Sequence, residues 1–361
     1  MPLRFQGRLS AALFLTLLPA SLFCGCGSEA GRSGEEPSEV SAPPANAEAA
    51  RAALARGLEA MRARDPDRAA EELREAVRLD PSLVRAQFAL GRVLVYLSDV
   101  VVGTPTRDLG TLDEAIAALR IAVEDDPRSS DRRYWLAKAL RDRGFQEEAV
   151  ETYRAAIELD ANNAPAHREL AFLLADMGLD GAAEEAQRAI ELLPADATLW
   201  FLLGMEREVS DDLPGAKQAY ERAIELDWTI PSPYSKLAVV LAREGDQERS
   251  AAAQAAYQAW YAYGPVLRAR NLEANEKPHD ADVLAALAEV QLQGQRFDLA
   301  RETLERAIAA SPGDDALIAR LADVEILASR GPERSESGFI LPLPASDRVQ
   351  TTPSDSADES R

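Results

Sequence analysis

Ala122-Val-Glu-Asp-Asp-Pro127, Ala156-Ile-Glu-Leu-Asp160, Ala189-Ile-Glu-Leu-Leu-Pro194 and Ala223-Ile-Glu-Leu-Asp227 are four versions of one phrase. Their leading alanines lie 34, 33 and 34 residues apart. A period of that length is one pair of helices. A pair cannot bury its apolar face alone, so successive copies stack into a solenoid. Alanine is abundant around the phrase, which favours helix and close helix packing. Runs of Val, Ile and Thr with period two are absent, so an all-α chain without sheet is expected.

Outward from the phrase the register extends in both directions. The shared register, met in part by each unit, is a large residue at position 4, Leu at 7, Gly or Ala at 8, Ala at 20, a large or aromatic residue at 24, Ala at 27 and Pro at 32. Repeat one begins near Ala50 with Gly57, Ala69, Leu73, Ala76 and Pro81. Repeat two begins near Val84, repeat three near Ser130 and repeat four near Ala164. Repeat five begins near Ala197 and shows the pattern most fully, with Trp200, Leu203, Gly204, Ala216, Tyr220 and Ala223. Repeat six begins near Pro231, with Ser250 in place of the alanine at position 20, and repeat seven near Ala281.

This pattern resembles the tetratricopeptide repeat. The resemblance implies a right-handed superhelical solenoid of antiparallel helix pairs over residues 50–329, with about seven repeats and one unpaired terminal helix from Leu317 to Ser329. Two places depart from the period. About a dozen extra residues separate the helices of repeat two, within the partly apolar stretch 98–110. Repeat seven begins 50 residues after repeat six, so 264–280 reads as irregular: Gly264-Pro265 breaks the helix before it, Val266 to Ala274 reads as a helical extension and 275–280 as a loop. Residues 330–361 read as a disordered tail. Within it Gly338-Phe-Ile-Leu-Pro-Leu-Pro344 is apolar enough to fold back on the last helix or to be taken up by another protein.

At the chain start, Arg4 and Arg8 precede an apolar run from Ala11 to Phe23, the layout of an export signal and too short for a comfortable span. It ends in Phe23-Cys24-Gly25-Cys26-Gly27. This resembles the lipobox of bacterial lipoproteins, which implies a signal peptide over 1–25 and a lipid on Cys26, with Cys24 as the alternative. Residues 26–49, rich in Gly, Ser, Glu, Pro and Ala, read as a disordered tether. Gly27-Ser28 after the cysteine implies, by that family's sorting rule, an outer membrane facing the periplasm.

The formal net charge of -21 speaks against a nucleic-acid partner, which needs a basic footprint. No catalytic residue is identified. The two histidines, His167 and His279, have no metal-ligand companion at useful spacing, and no phosphate-binding glycine loop or nucleophile elbow occurs. No cofactor or metal is expected. His167, at position 4, reads as a packing residue, and His279 as a surface one. Acidic pairs such as Glu147-Glu148 and Glu184-Glu185 read as a solvated face.

In tetratricopeptide folds the first helices line the concave surface. The resemblance therefore implies a peptide groove formed by Phe88, Arg92 and Tyr96 of repeat two, Tyr134, Lys138 and Arg141 of repeat three, Arg168 and Phe172 of repeat four, and Phe201 and Met205 of repeat five. Aromatics anchor a chain and Arg grips carboxylates, so the groove suits a peptide with acidic groups or a free C-terminus. The same aromatics also suit packing between repeats. Two functions fit. One is a non-enzymatic, membrane-tethered scaffold docking a segment of a cell-envelope protein. The other is a regulatory or substrate-binding subunit of a glycan- or peptide-processing complex whose catalyst is a partner chain.

Overall fold

The computed structural model describes residues 46–100 and 109–343. The signal, the lipidation cysteines, nearly all of the tether, the centre of the repeat-two insertion and the end of the tail lie outside the described residues. Within them fifteen helices run in order. The first pairs are α1 (Ala47–Arg62) with α2 (Pro66–Leu79), α3 (Val84–Val100) with α4 (Leu109–Asp125), and α5 (Ser130–Arg143) with α6 (Gln146–Leu159). Next come α7 (Ala164–Met177) with α8 (Ala182–Leu192), and α9 (Ala197–Val209) with α10 (Leu213–Leu226). The last pairs are α11 (Pro231–Glu244) with α12 (Gln247–Glu276) and α13 (Ala281–Gln293) with α14 (Phe297–Ala310), followed by α15 (Asp315–Arg330). Each helix packs on the next, giving the all-α, right-handed solenoid of helix pairs. From α1 to α9 the first helices of successive repeats also touch, so they form the close-set inner row.

Small residues at position 8 exist because position 24 fills the space above them. A Cβ on Gly91 would lie 2.5 Å from Leu119 Cγ, and one on Gly204 would lie 2.5 Å from Tyr220 Cε1. Where repeat six carries Ser250 at position 20, its hydroxyl donates to the carbonyl of Ala238 at position 8, 2.8 Å away. The polar atom thereby gains a partner inside the packed pair.

Two further regularities tie the turns. First helices of six repeats end with position 15 in the left-handed region: Arg64, Gly144, Gly178, Asp211, Gly245 and Gln295. In each case the next amide reaches back to a carbonyl of the helix's last turn, as in Asp65 N to Ala60 O and Phe145 N to Leu140 O. At position 4 of four repeats the side chain bonds the carbonyl six residues earlier, in the turn before the helix. Gln87 donates to Pro81, Trp200 to Pro194 and the Tyr234 hydroxyl to Trp228, at 3.0–3.2 Å. His167 makes the same contact with Ala161, at 3.1 Å.

Three expectations are corrected. Helix α1 begins at Ala47, so the tether gives way to helix before residue 50. Part of the 98–110 insertion is helix, because α3 runs on to Val100 and α4 starts at Leu109. Helix α12 passes through Pro265 to Glu276, so the expected break at Gly264-Pro265 is absent and the expected helical extension over Val266 to Ala274 belongs to the same helix. Tertiary anchoring overrides the local rule there. Trp260 and Tyr263 are both buried, meet edge-on at 5.3 Å and donate to the carbonyls of Ile340 and Val290. The carbonyl that Pro265 deprives of its helical donor belongs to Tyr261, on the exposed side of the helix.

Candidate functional site

The ten groove residues sit on the inner row of helices α3, α5, α7 and α9, but they do not form one surface of free side chains. The middle of the row is an ion-pair ladder. Arg141 pairs with Asp142 at 2.7 Å and with Glu169 of the next repeat. Arg168 pairs with Glu169 at 2.8 Å and with Asp196 of the repeat beyond at 2.9 Å, and it also donates to Thr198. Burial would raise the Asp196 carboxyl, but the hydrogen bonds from Thr198 and Arg168 outweigh it and hold the group below its usual range. Lys138 lies 4.0 Å from Asp142. These cations are engaged by the chain's own carboxylates, so the expectation that Arg141 and Arg168 are available to grip a ligand's acid is corrected.

The aromatics of the middle row also pack within the solenoid. Tyr134 meets Trp135 at 5.3 Å and Tyr153 at 6.1 Å, and burial pushes its phenol up. Phe201 meets the buried Tyr220 at 5.8 Å. Phe172 lies beneath the Arg168 guanidinium at 5.1 Å. The ring contacts of Tyr134 and Phe201 are with Tyr153 and Tyr220 of their own repeats, so packing within the helix pair engages both rings.

Two clefts remain at the ends of this row. One, of ≈ 420 Å³, is lined by residues including Phe172, Met205, Val209, Glu208 and Lys236. It is crossed by ion pairs of its own chain, Lys236 with Glu208 and Arg243 with Asp211. The other, of ≈ 370 Å³, lies across repeats one to three and is lined by Met61, Arg64, Pro66, Arg92, Val93, Tyr96 and Trp135.

Arg92 distinguishes this second cleft. Its guanidinium carbon lies 4.9 Å from the Trp135 ring centre and 5.5 Å from that of Phe88, so two rings hold it in place. Its Nε is buried without a hydrogen-bond partner among the described residues. Arg64, exposed at its helix end, adds a second cation, and Tyr96 is 55 % exposed at the rim. The arrangement can accept an anionic group while the rings contact an apolar portion of the same ligand. Sequence reasoning missed Trp135. Its signal was available: Trp135 lies three residues before the groove residue Lys138 on α5, one turn away on the same helix face.

His167 is buried, as expected of a packing residue, with Nδ1 2.6 Å from Glu185 and Nε2 facing the Ala161 carbonyl. Glu185 is therefore a structural partner as well as one of a surface acidic pair. Glu147 and Glu148 are exposed, and Glu148 pairs with Arg120 of the preceding repeat at 2.8 Å. Among the described residues no group of three or more His, Cys, Asp or Glu is placed to hold a metal ion. Among them, too, no helix is long and apolar enough to cross a membrane.

Comparison with known proteins places the repeats. Residues 137–178 match the family model described as TPR repeat, and residues 54–99 and 243–315 match the one described as tetratricopeptide repeat. No curated protein matches the chain. Among solved structures, MamA is 23% identical, with a TM-score of 0.41, covering 47% of this chain and 94% of that one. MamA from Desulfovibrio magneticus RS-1 is 18% identical, with a TM-score of 0.42, covering 48% of this chain and 96% of that one. YrrB, described as a TPR protein with an unusual peptide-binding site, is 19% identical with a TM-score of 0.37, covering 57% of this chain and 98% of that one.

Proposed function

We propose that the chain, a member of the tetratricopeptide repeat family, is a non-enzymatic scaffold that docks a peptide segment of another protein at the cleft around Arg92. The observation that carries this reading is the contrast along the inner row. Arg141 and Arg168 are engaged by carboxylates of neighbouring repeats, whereas Arg92 is held between Trp135 and Phe88 in an open cleft. The occupant is a segment with an acidic side chain or free C-terminus beside an apolar anchor. Ring-held Arg loses little freedom on binding, which favours affinity for such a group.

The sequence at the chain start supports a location. Arg4, Arg8, the apolar run to Phe23 and the Gly25-Cys26 pair resemble a lipoprotein signal, so the scaffold is tethered through lipid on Cys26 in a bacterial cell envelope, at an outer membrane facing the periplasm. Its partner is then an envelope protein. The test is photo-crosslinking from membranes, with a photoreactive residue at position 96 of the full chain and an Arg92→Ala variant beside it. A discrete partner captured by the first and lost from the second is expected. Equal capture by both would move the docking site away from this cleft. A Cys26→Ser chain that still partitions with membranes would overturn the tether.

A further inference from the structure

Beyond α15 the chain returns to the solenoid, at a site remote in sequence from the inner-row residues. Ser335 N donates to the Phe339 carbonyl, Gly338 N donates to Ser335 O, and Arg334 bridges Ile340 in antiparallel fashion, so residues 334–340 form a tight hairpin. Gly338 stands at φ 84, which a side chain would resist. The hairpin presents Phe339 and Ile340 to the junction of α11, α12 and α13, where both are buried. The junction differs from the last helix, on which this apolar stretch was one expectation for docking.

The junction reads this segment through its main chain. The Trp260 indole donates to the Ile340 carbonyl at 2.9 Å, with the Tyr234 hydroxyl 3.4 Å from the same oxygen. The Gln295 amide donates to the carbonyls of Glu333 and Leu341 at 3.2 and 2.9 Å, and its carbonyl accepts from Glu333 N at 2.6 Å. Leu343 N donates to the Gln293 carbonyl at 2.7 Å. Side-chain selection comes from two adjacent apolar residues, with Phe339 edge-on to Tyr234 at 5.5 Å. Main-chain hydrogen bonds with a pair of apolar pockets are how folded surfaces bind peptide segments. Gln295 makes the point from the receptor side. It occupies the left-handed position that three other repeats give to glycine, at φ 55, yet it is 3 % exposed and spends its whole carboxamide on the segment.

We infer that the α11–α12–α13 junction is a binding site for a short peptide hairpin that presents two adjacent bulky apolar side chains. Residues 333–343 are its resident ligand, exchangeable with a like segment of a partner protein. Exchange requires no helix to unfold, because the segment joins the solenoid only through Gly331-Pro332 and contributes no helix of its own. None of these residues belongs to the cleft around Arg92, so the two sites stand or fall separately.

The test uses the full chain carrying Phe339→Ala and Ile340→Ala, which vacates the pockets, and a fluorescent peptide of residues 333–344. The peptide is expected to bind the vacated chain at least tenfold more tightly than the wild type, where the resident segment competes. Adding Gln295→Ala, or placing the two alanines in the peptide instead, should abolish that difference. Two results overturn the inference. One is a vacated chain of unchanged helicity and melting temperature that does not bind the peptide. The other is hydrogen exchange showing α11–α13 unfolded in the vacated chain, which makes the segment part of the fold rather than a ligand.

Discussion

At the scale of single residues, position 15 separates backbone need from side-chain use. Arg64, Asp211 and Gln295 hold the left-handed conformation that glycine adopts freely at Gly144, Gly178 and Gly245. Asp211 has only an exposed ion pair with Arg243 to offset that strain. Asp211→Gly should therefore raise stability by about 0.5–1 kcal/mol, read as a higher midpoint in urea. Gln295→Gly relieves the same strain but removes three hydrogen bonds to residues 333 and 341, so it should lower the midpoint. A rise in both would show that Gln295 is not chosen for its side chain. This scale is also where the sequence was hardest to read. Glycine at 144, 178 and 245 announces the turn, whereas nothing local marks Arg64, Asp211 or Gln295 as its equivalents except the 34-residue register itself. The ladder was hidden for a related reason. The partners of Arg141 and Arg168 stand 28 residues downstream, on the next repeat, at Glu169 and Asp196. Reading each helix alone left those two cations looking available.

At the scale of elements, α12 is the departure from the period. Its thirty residues put α13 on the far side of an extended helix, and the wedge that results is where Phe339 and Ile340 sit. The proline inside it signalled a break, and the signal was overruled by Trp260 and Tyr263, whose burial no local rule could foresee. Tyr263 gives the helix a pH dependence. Burial pushes its phenol up to about 12, from an ordinary value near 10. The folded state holds the proton more tightly than the unfolded chain does, so the contribution is complete below pH 10 and is lost as pH rises toward 12. Urea midpoints of the wild type should fall across that window, and those of Tyr263→Phe should fall less. Identical alkaline profiles would show that another group governs. Position 4 adds a second element-level device, since in repeats two, four, five and six it ties the first helix to the turn before it. Trp200→Phe keeps an aromatic side chain but loses the bond to the Pro194 carbonyl, and should cost about 0.5–1.5 kcal/mol or more.

At the scale of the molecule, small residues at 8 and 20 and large ones at 24 repeat because helix pairs must close on one another, and that necessity made the architecture legible from Ala122 to Asp227. The inner surface was legible only as a set of positions. Which of its side chains are free depends on contacts between repeats, and these divide the row into a ladder and two clefts. Trp135, one of the rings that hold Arg92, belongs to the repeat after it, so the cleft exists only in the stacked solenoid. The most direct test of the account is a selection of random peptides with free C-termini on the full chain, followed by anisotropy titration of the enriched sequences against the wild type, Arg92→Ala and Arg168→Ala. Peptides pairing an acidic group with an aromatic or aliphatic anchor are expected. At least a tenfold loss of affinity is expected in Arg92→Ala and a smaller loss in Arg168→Ala, whose guanidinium is already engaged by Glu169 and Asp196. Peptides that bind Arg92→Ala as tightly as the wild type would contradict the account.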